Sequence, residues 1–312
     1  MGQLTENAGG GPEPVRAIVP GRRVLLHGLL RDRTAMIGIV IVSSFVLAAA
    51  LAPLLAPHDP NAVDVVRKFA PPSAEFPLGT DYLGRDILSR LLYGARLSIG
   101  TAVAATLGIS LLGLLLGMLA GYLGGLVDTV ISRVVDVLLA FPSFLLALAV
   151  TGILGPGLGN LMLAVVAVSW AGYARIVRGS ILAEREKPYV EAARATGVSG
   201  WRILWRHLLR NIVGPVVVLT TLDMGAILLG ISALSFLGLG VKPPTSEWGA
   251  MLSEGRNYLS QAPDLMLFPG TAIFLMALGF NLFGDGLRDV LDPRTRRSMN
   301  PPYADRPRRA VP

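Results

Sequence analysis

The sequence predicts an all-α integral membrane protein with about six transmembrane helices, and three observations predict it. Of its 312 residues 52% are hydrophobic and only 16% charged, with a mean hydropathy of +0.58, against about 45–50% apolar and about 25% charged in a soluble domain. The apolar residues fall in long blocks, and a helix needs about 20 of them to cross a hydrocarbon core of about 30 Å at about 1.5 Å per residue. The basic residues gather between the blocks, which is the pattern of membrane topology.

Six stretches have the required character: 35–56, 97–119, 130–152, 158–174, 212–236 and 265–284. The third and fourth share a charge-free run, 137–174, too long for one span, and Gly155-Pro156-Gly157 divides it as a tight turn. In the first, Ala50-Leu51-Ala52 imitates a signal-peptidase site. The 34 residues before the run, its length beyond the roughly 7–15 residues of a signal core, and Pro53 after the cut favour a retained span. Residues 1–34 read as a tail, disordered in part around Gly9-Gly10-Gly11-Pro12, and 285–312 as a second tail. Residues 57–96 read as an extracytoplasmic and interfacial segment.

Orientation follows from charge. Residues 1–34, 175–210 and 285–312 carry 20 of the 28 Lys and Arg residues, against seven in 57–96 and 237–264. Both termini and the loop between spans four and five are therefore expected in the cytoplasm. Gly113, Gly117 and Gly121, every fourth residue, predict a close helix-packing face. Arg133 and Asp136, three apart, can pair on one helix. Asp223 stands alone in an apolar span, so it faces either a helix neighbour or a water-filled path, and is the candidate for the translocation pathway.

Several classes of function are excluded. Cysteine is absent, and His27, His58 and His207 have no second ligand at metal spacing. The lysines, Lys68, Lys187 and Lys242, lack the Gly-rich context of a phosphate-binding loop. No zinc finger or RNA-binding motif accompanies the net charge of +7, so nucleic acid is not an expected partner. A secondary transporter would need coupling carboxylates near the midplane, and Asp223 is the only deep acid. A scaffold without solute flux and a membrane enzyme are the remaining rivals, and the latter lacks a nucleophile–base or metal constellation.

The loop at 175–211 is the most informative segment. Pro188 suits a first helical turn, Gly197 a left-handed C-terminal cap, and Ser199 the N-cap of a second helix. In that second helix Trp201, Leu204, Trp205, Leu208, Leu209 and Ile212 share three–four spacing, and Arg202, Arg206 and Arg210 form a stripe. Periodicity alone reads this as a basic amphipathic helix resting on membrane lipid. Glu191-Ala192-Ala193, with Gly197 after three residues, resembles the EAA loop of ABC importer permeases. The resemblance implies a coupling helix seated in a groove of an ATPase subunit, with Glu191, Ala192, Ala193, Gly197, Val198, Ser199, Trp201 and Arg202 at the contact. Members of that family commonly carry proline where Arg210 stands, so the exit from the loop is expected to differ.

The likeness extends further. Leu78-Gly79-Thr80-Asp81 with the segment Gly84 to Arg96, then Leu139-Ala-Phe-Pro142, Leu234 to Gly240 and Gly284 to Arg294 are similar to the dipeptide, oligopeptide and nickel permease branch. The resemblance covers about residues 35–297 and lies with the C-type permease. It implies a type I ABC importer transmembrane-domain fold over 97–284, in a bacterial cytoplasmic (inner) membrane. It also implies a non-catalytic subunit with four kinds of partner: a second homologous permease, two ABC ATPase subunits holding ATP and Mg, an extracytoplasmic substrate-binding protein, and membrane lipid. This chain would bind no cofactor itself. The implied cargo is a dipeptide or oligopeptide, with nickel or another small solute as the alternative.

Overall fold

The computed structural model describes residues 28–291. The expectations placed on the two outer tails, including His27, lie wholly or largely outside that range. The described residues form a helical bundle. Helix α1 (Arg33–Ala50) starts at Asp32, whose carboxylate accepts hydrogen bonds from the Thr34 and Ala35 amides at 2.8 and 3.1 Å. It breaks at Leu51 before the short α2 (Ala52–Leu55), because Pro53 suits a new first turn better than a helix interior. Helix α3 (Ile87–Leu123) is 37 residues long and begins well before the apolar block that predicted it.

The predicted span 130–152 is corrected. It is a bent pair, α4 (Gly125–Leu139) and α5 (Ser143–Leu154), meeting at 92°. Pro142 causes the break: it has no amide proton to donate, and it pushes the residue before it out of helical geometry. At about 1.5 Å per residue the halves reach only about 22 and 18 Å, so among the described residues five helices are long and apolar enough to span a membrane unbroken, and the bent pair makes a sixth, broken span. Helix α6 (Leu158–Arg185) returns after the glycine turn. The short α7 (Pro188–Ala195) leads to α8 (Gly200–Phe236), then α9 (Trp248–Gly255) and α10 (Asp264–Leu291).

Helices α3 and α6 share the most extensive contact in the bundle. Gly113, Gly117 and Gly121 make it possible: a Cβ there would lie 2.3 Å from Tyr173 Cβ, 2.6 Å from the Ala174 carbonyl oxygen and 2.8 Å from Ile181 Cβ. The glycine face is thus a packing face, as its spacing predicts. The expected Arg133–Asp136 pair does not form. Asp136 instead accepts from Arg175 on α6 at 3.2 Å, and nearby Arg178 holds Asp128 at 2.7 Å. Neighbouring helices bring α6 arginines to carboxylates of α4 that spacing along one helix cannot reveal.

Candidate functional site

The loop between α6 and α8 is built as a rigid projection. Helix α7 starts with Pro188 at its first turn and carries Glu191 there, where the helix dipole favours an acid. It ends in a Schellman motif. The Gly197 amide donates to the Arg194 carbonyl at 3.0 Å and the Val198 amide to the Ala193 carbonyl at 3.1 Å, with Gly197 at φ +77°. Ser199 occupies the N-cap of α8 and its carbonyl accepts from Ile203 at 3.0 Å, but its side chain makes no capping bond, contrary to expectation.

The base of the loop is tied down by a polar clamp absent from the sequence reading. Tyr189 donates to Glu184 at 2.9 Å, and Asn211 reaches both Glu184 and the Tyr189 oxygen at 3.1 and 2.8 Å. Burial, then the bond to Glu184, pushes the Tyr189 hydroxyl up to about 12, so it stays a proton donor at neutral pH. Gly200 passes so close to the end of α3 that a Cβ would meet the Tyr122 hydroxyl at 2.5 Å. Nothing in local spacing marks these partners, which come from four elements, α3, α6, α7 and α8.

The predicted contact residues divide by exposure. Glu191, Ala192, Gly197, Ser199, Trp201 and Arg202 are exposed, whereas Ala193 and Val198 are half-buried against a cluster of Met118, Val177, Ile181, Val190 and Ile203. That inward contact is the apolar partner of the Schellman motif. The expected apolar stripe of the second helix is also corrected. Residues Leu204–Leu208 form a wider π turn inside the continuous α8, so Ile203, Leu204, Leu208 and Ile212 are buried while Trp201 and Trp205 are 60% and 41% exposed. The two indoles meet edge to face, their centroids 5.6 Å apart. The chain runs through Arg210 as unbroken helix into the fifth span, with Pro215 one turn further on.

Asp223 lies near the middle of α8 and lines a cavity of about 620 Å³ between α3, α5, α6 and α8. Tyr173, Ser143 and Ser169 line it too, among apolar side chains such as Phe144, Leu219 and Ile227. The break at Pro142 places Ser143 and Phe144, at the start of α5, on its wall.

At the far end of the bundle from α7, residues 57–86 fold against α9. Asp81, Arg85, Arg90 and Glu254 form a buried, formally neutral quartet, with Arg85–Asp81 at 2.7 Å, Arg85–Glu254 at 2.6 Å, Arg90–Asp81 at 2.6 Å and Arg90–Glu254 at 2.9 Å. The arginine side chains are 1% and 3% exposed. Gly84, at φ +76°, lies where a Cβ would fall 1.7 Å from the Asp64 carbonyl oxygen, so the turn between Asp81 and Arg85 admits only glycine.

Residues 113–297 match the family described as binding-protein-dependent transport system inner membrane component. The chain belongs to this family. Residues 21–72 match the N-terminal transmembrane domain of oligopeptide transport permease C. The permease is 42% identical over 285 residues to the dipeptide transport system permease protein DppC of Alkalihalophilus pseudofirmus, covering 91% of this chain and 94% of that one. It is 46% identical to the probable D,D-dipeptide transport system permease protein DdpC of Escherichia coli K12, over 82% of this chain and 86% of the relative. The nickel transport system permease protein NikC of the same organism is 40% identical, over 82% and 93%. The permease is thus a non-catalytic inner-membrane component of a binding-protein-dependent ABC importer.

Proposed function

We propose that the permease forms half of the translocation pathway of an ATP-driven importer of small peptides, and that residues 175–211, within a transmembrane domain spanning 97–284, couple it to an ATPase subunit. The observation that carries this reading is the loop itself: a capped, clamped two-helix projection whose exposed face holds Glu191, Ala192, Gly197 and Arg202. A surface meant only to end a hairpin would not need the Schellman cap, the Tyr189–Glu184–Asn211 clamp and the close approach at Gly200 together. Two ATPase subunits would hold ATP and Mg, a second homologous permease would supply the other half of the pathway, and an extracytoplasmic binding protein would deliver the solute. No cofactor is assigned to this chain.

In this mechanism, closure of the ATPase pair pushes on α7. Because α8 is continuous from Gly200 through the membrane, a displacement at the loop reaches Asp223 along one helix. The work comes from the different affinity of the two ATPase states for the two transporter states. The peptide assignment is supported by the names of the dipeptide-transporting relatives, and nickel is the second reading because a nickel permease is 40% identical. The test is uptake by the reconstituted full importer: dialanine should accumulate with ATP and binding protein, and not when either is omitted. Accumulation of nickel alone would favour the second reading, and accumulation of neither would refute both.

We propose further that both termini and α7 face the cytoplasm, and residues 57–86 and α9 the outside. Because the chain contains no cysteine, single thiols test this cleanly. Asn61, Gln261 and Thr196 are exposed, whereas Ser246 is 6% exposed and would label poorly. A membrane-impermeant maleimide should label Asn61→Cys and Gln261→Cys in intact cells and spare Thr196→Cys. The reverse pattern would invert the topology.

A further inference from the structure

We propose that the cavity beside Asp223 is a binding station for the protonated amine of the transported solute. The Asp223 carboxylate would be its charge partner and the Tyr173 hydroxyl a second polar contact. The inference rests on the importer reading and adds to it the chemistry of the group recognised inside the membrane.

Position comes first. In the 28-residue segment Leu209–Phe236 of α8, Asp223 is 14 residues from the start, or about 21 Å along an axis of about 42 Å. A carboxylate at that depth is expensive unless it has a partner or a wet path. Asp223 forms no ion pair among the described residues. None of the described residues lining the cavity is basic. An ionised Asp223 would thus have no cation beside it, and the site would then attract a cation and repel an anion.

The second observation is Tyr173. It is 4% exposed and lines the same cavity, and its buried hydroxyl lies beside the Asp223 carboxylate and the Thr220 hydroxyl without completing a well-aligned hydrogen bond to either. A buried polar group without a well-formed bond costs about 1–3 kcal/mol, so a ligand that bridges this hydroxyl and the neighbouring carboxylate completes the bonding of both. Ser143 and Ser169 add two more hydroxyls to the lining.

The chemistry of the occupant follows. A bare divalent ion needs several ligands, and among the described residues no three His, Cys, Asp or Glu side chains converge. One carboxylate with hydroxyls in an otherwise apolar wall suits an ammonium group, which donates three hydrogen bonds and carries one charge. The volume, about 620 Å³, lies within the roughly 300–1,000 Å³ of small-molecule sites.

The test uses the whole importer in proteoliposomes, with Ala226→Cys as the sole thiol of this chain. Ala226 lines the cavity and is exposed. Its labelling by the cationic aminoethyl and the anionic sulfonatoethyl methanethiosulfonates is compared, each rate normalised to a free thiol. The cationic reagent should react about tenfold faster, the ratio given by about 1.4 kcal/mol. Asp223→Asn should bring the ratio close to one, while Asp223→Glu should retain it. Millimolar dialanine should slow labelling, N-acetyl-dialanine should not, and Tyr173→Phe should weaken the protection by dialanine while keeping the charge preference. Absence of labelling, equal rates for the two reagents, a preference that survives Asp223→Asn, or equal protection by the acetylated peptide would each overturn the amine site. ATP hydrolysis is measured on the same vesicles. An assembly without it refutes the importer reading, whereas normal hydrolysis with any of those four results refutes the amine site alone.

Discussion

Replacing Glu254 by alanine is expected to destabilise the purified permease by about 3–5 kcal/mol, the cost of leaving a buried ion pair half-made. Glu254 receives both Arg85 and Arg90, at 2.6 and 2.9 Å, and the arginines are almost fully enclosed. Without it two buried guanidinium groups share only Asp81, so the neutral quartet becomes a net positive charge in a poorly solvated site. The melting temperature in detergent should fall by on the order of 10 °C. A cavity left by the lost side chain would predict a loss too, and a charge-balanced double variant separates the explanations. Glu254→Ala with Arg85→Met removes one charge of each sign, so it should be more stable than the two single losses added together, by about 0.5–3 kcal/mol. Strict additivity, or a melting point within about 2 °C of wild type for Glu254→Ala, would show that the quartet carries no stability.

That quartet also shows what one-dimensional reading misses. Asp81, Arg85 and Arg90 all belong to the segment that the sequence marks as similar to known permeases, but their fourth member, Glu254, is 164 positions beyond Arg90. Periodicity and spacing report only near neighbours, so this pairing and that of Asp136 with Arg175 were beyond their reach. The spans were legible because a membrane demands about 20 apolar residues whatever the tertiary contacts. The same rule hid the bend at Pro142, since hydropathy measures composition and is blind to chain direction. Trp201 and Trp205 were misplaced because a single π turn, Leu204–Leu208, rotates the buried face. Asp223 and Gly197 were legible for local reasons: a charge inside an apolar block must be answered by something, and a glycine after a helical run marks a left-handed cap.

Gly197→Val should leave the permease in the membrane at near-normal abundance while sharply reducing uptake and the recovery of ATPase subunits. The backbone at Gly197 has φ +77°, and a Cβ built there meets nothing within 4 Å. The penalty is therefore conformational strain, about 1–3 kcal/mol, and it has no steric part that could spread into the bundle. The strain is relieved by opening the Schellman motif, which releases the Gly197 and Val198 amides and withdraws Ala193 and Val198 from the apolar cluster beneath α7. Such an energy shifts the balance between seated and unseated loop by about 5–150-fold, and uptake should fall within that range. The spans should still insert, because their packing rests on the α3–α6 glycine face rather than on the loop. Gly197→Asn, which tolerates the left-handed region, should retain most activity, and Glu191→Lys should weaken ATPase recovery by reversing an exposed contact charge. If the loop merely rests on lipid, Gly197→Val will be silent for ATPase recovery, and Arg202, Arg206 and Arg210 changed together to glutamate will have the larger effect. Uptake, copurified ATPase and permease abundance measured side by side decide between them, and normal uptake with normal ATPase recovery in Gly197→Val would remove the coupling assignment.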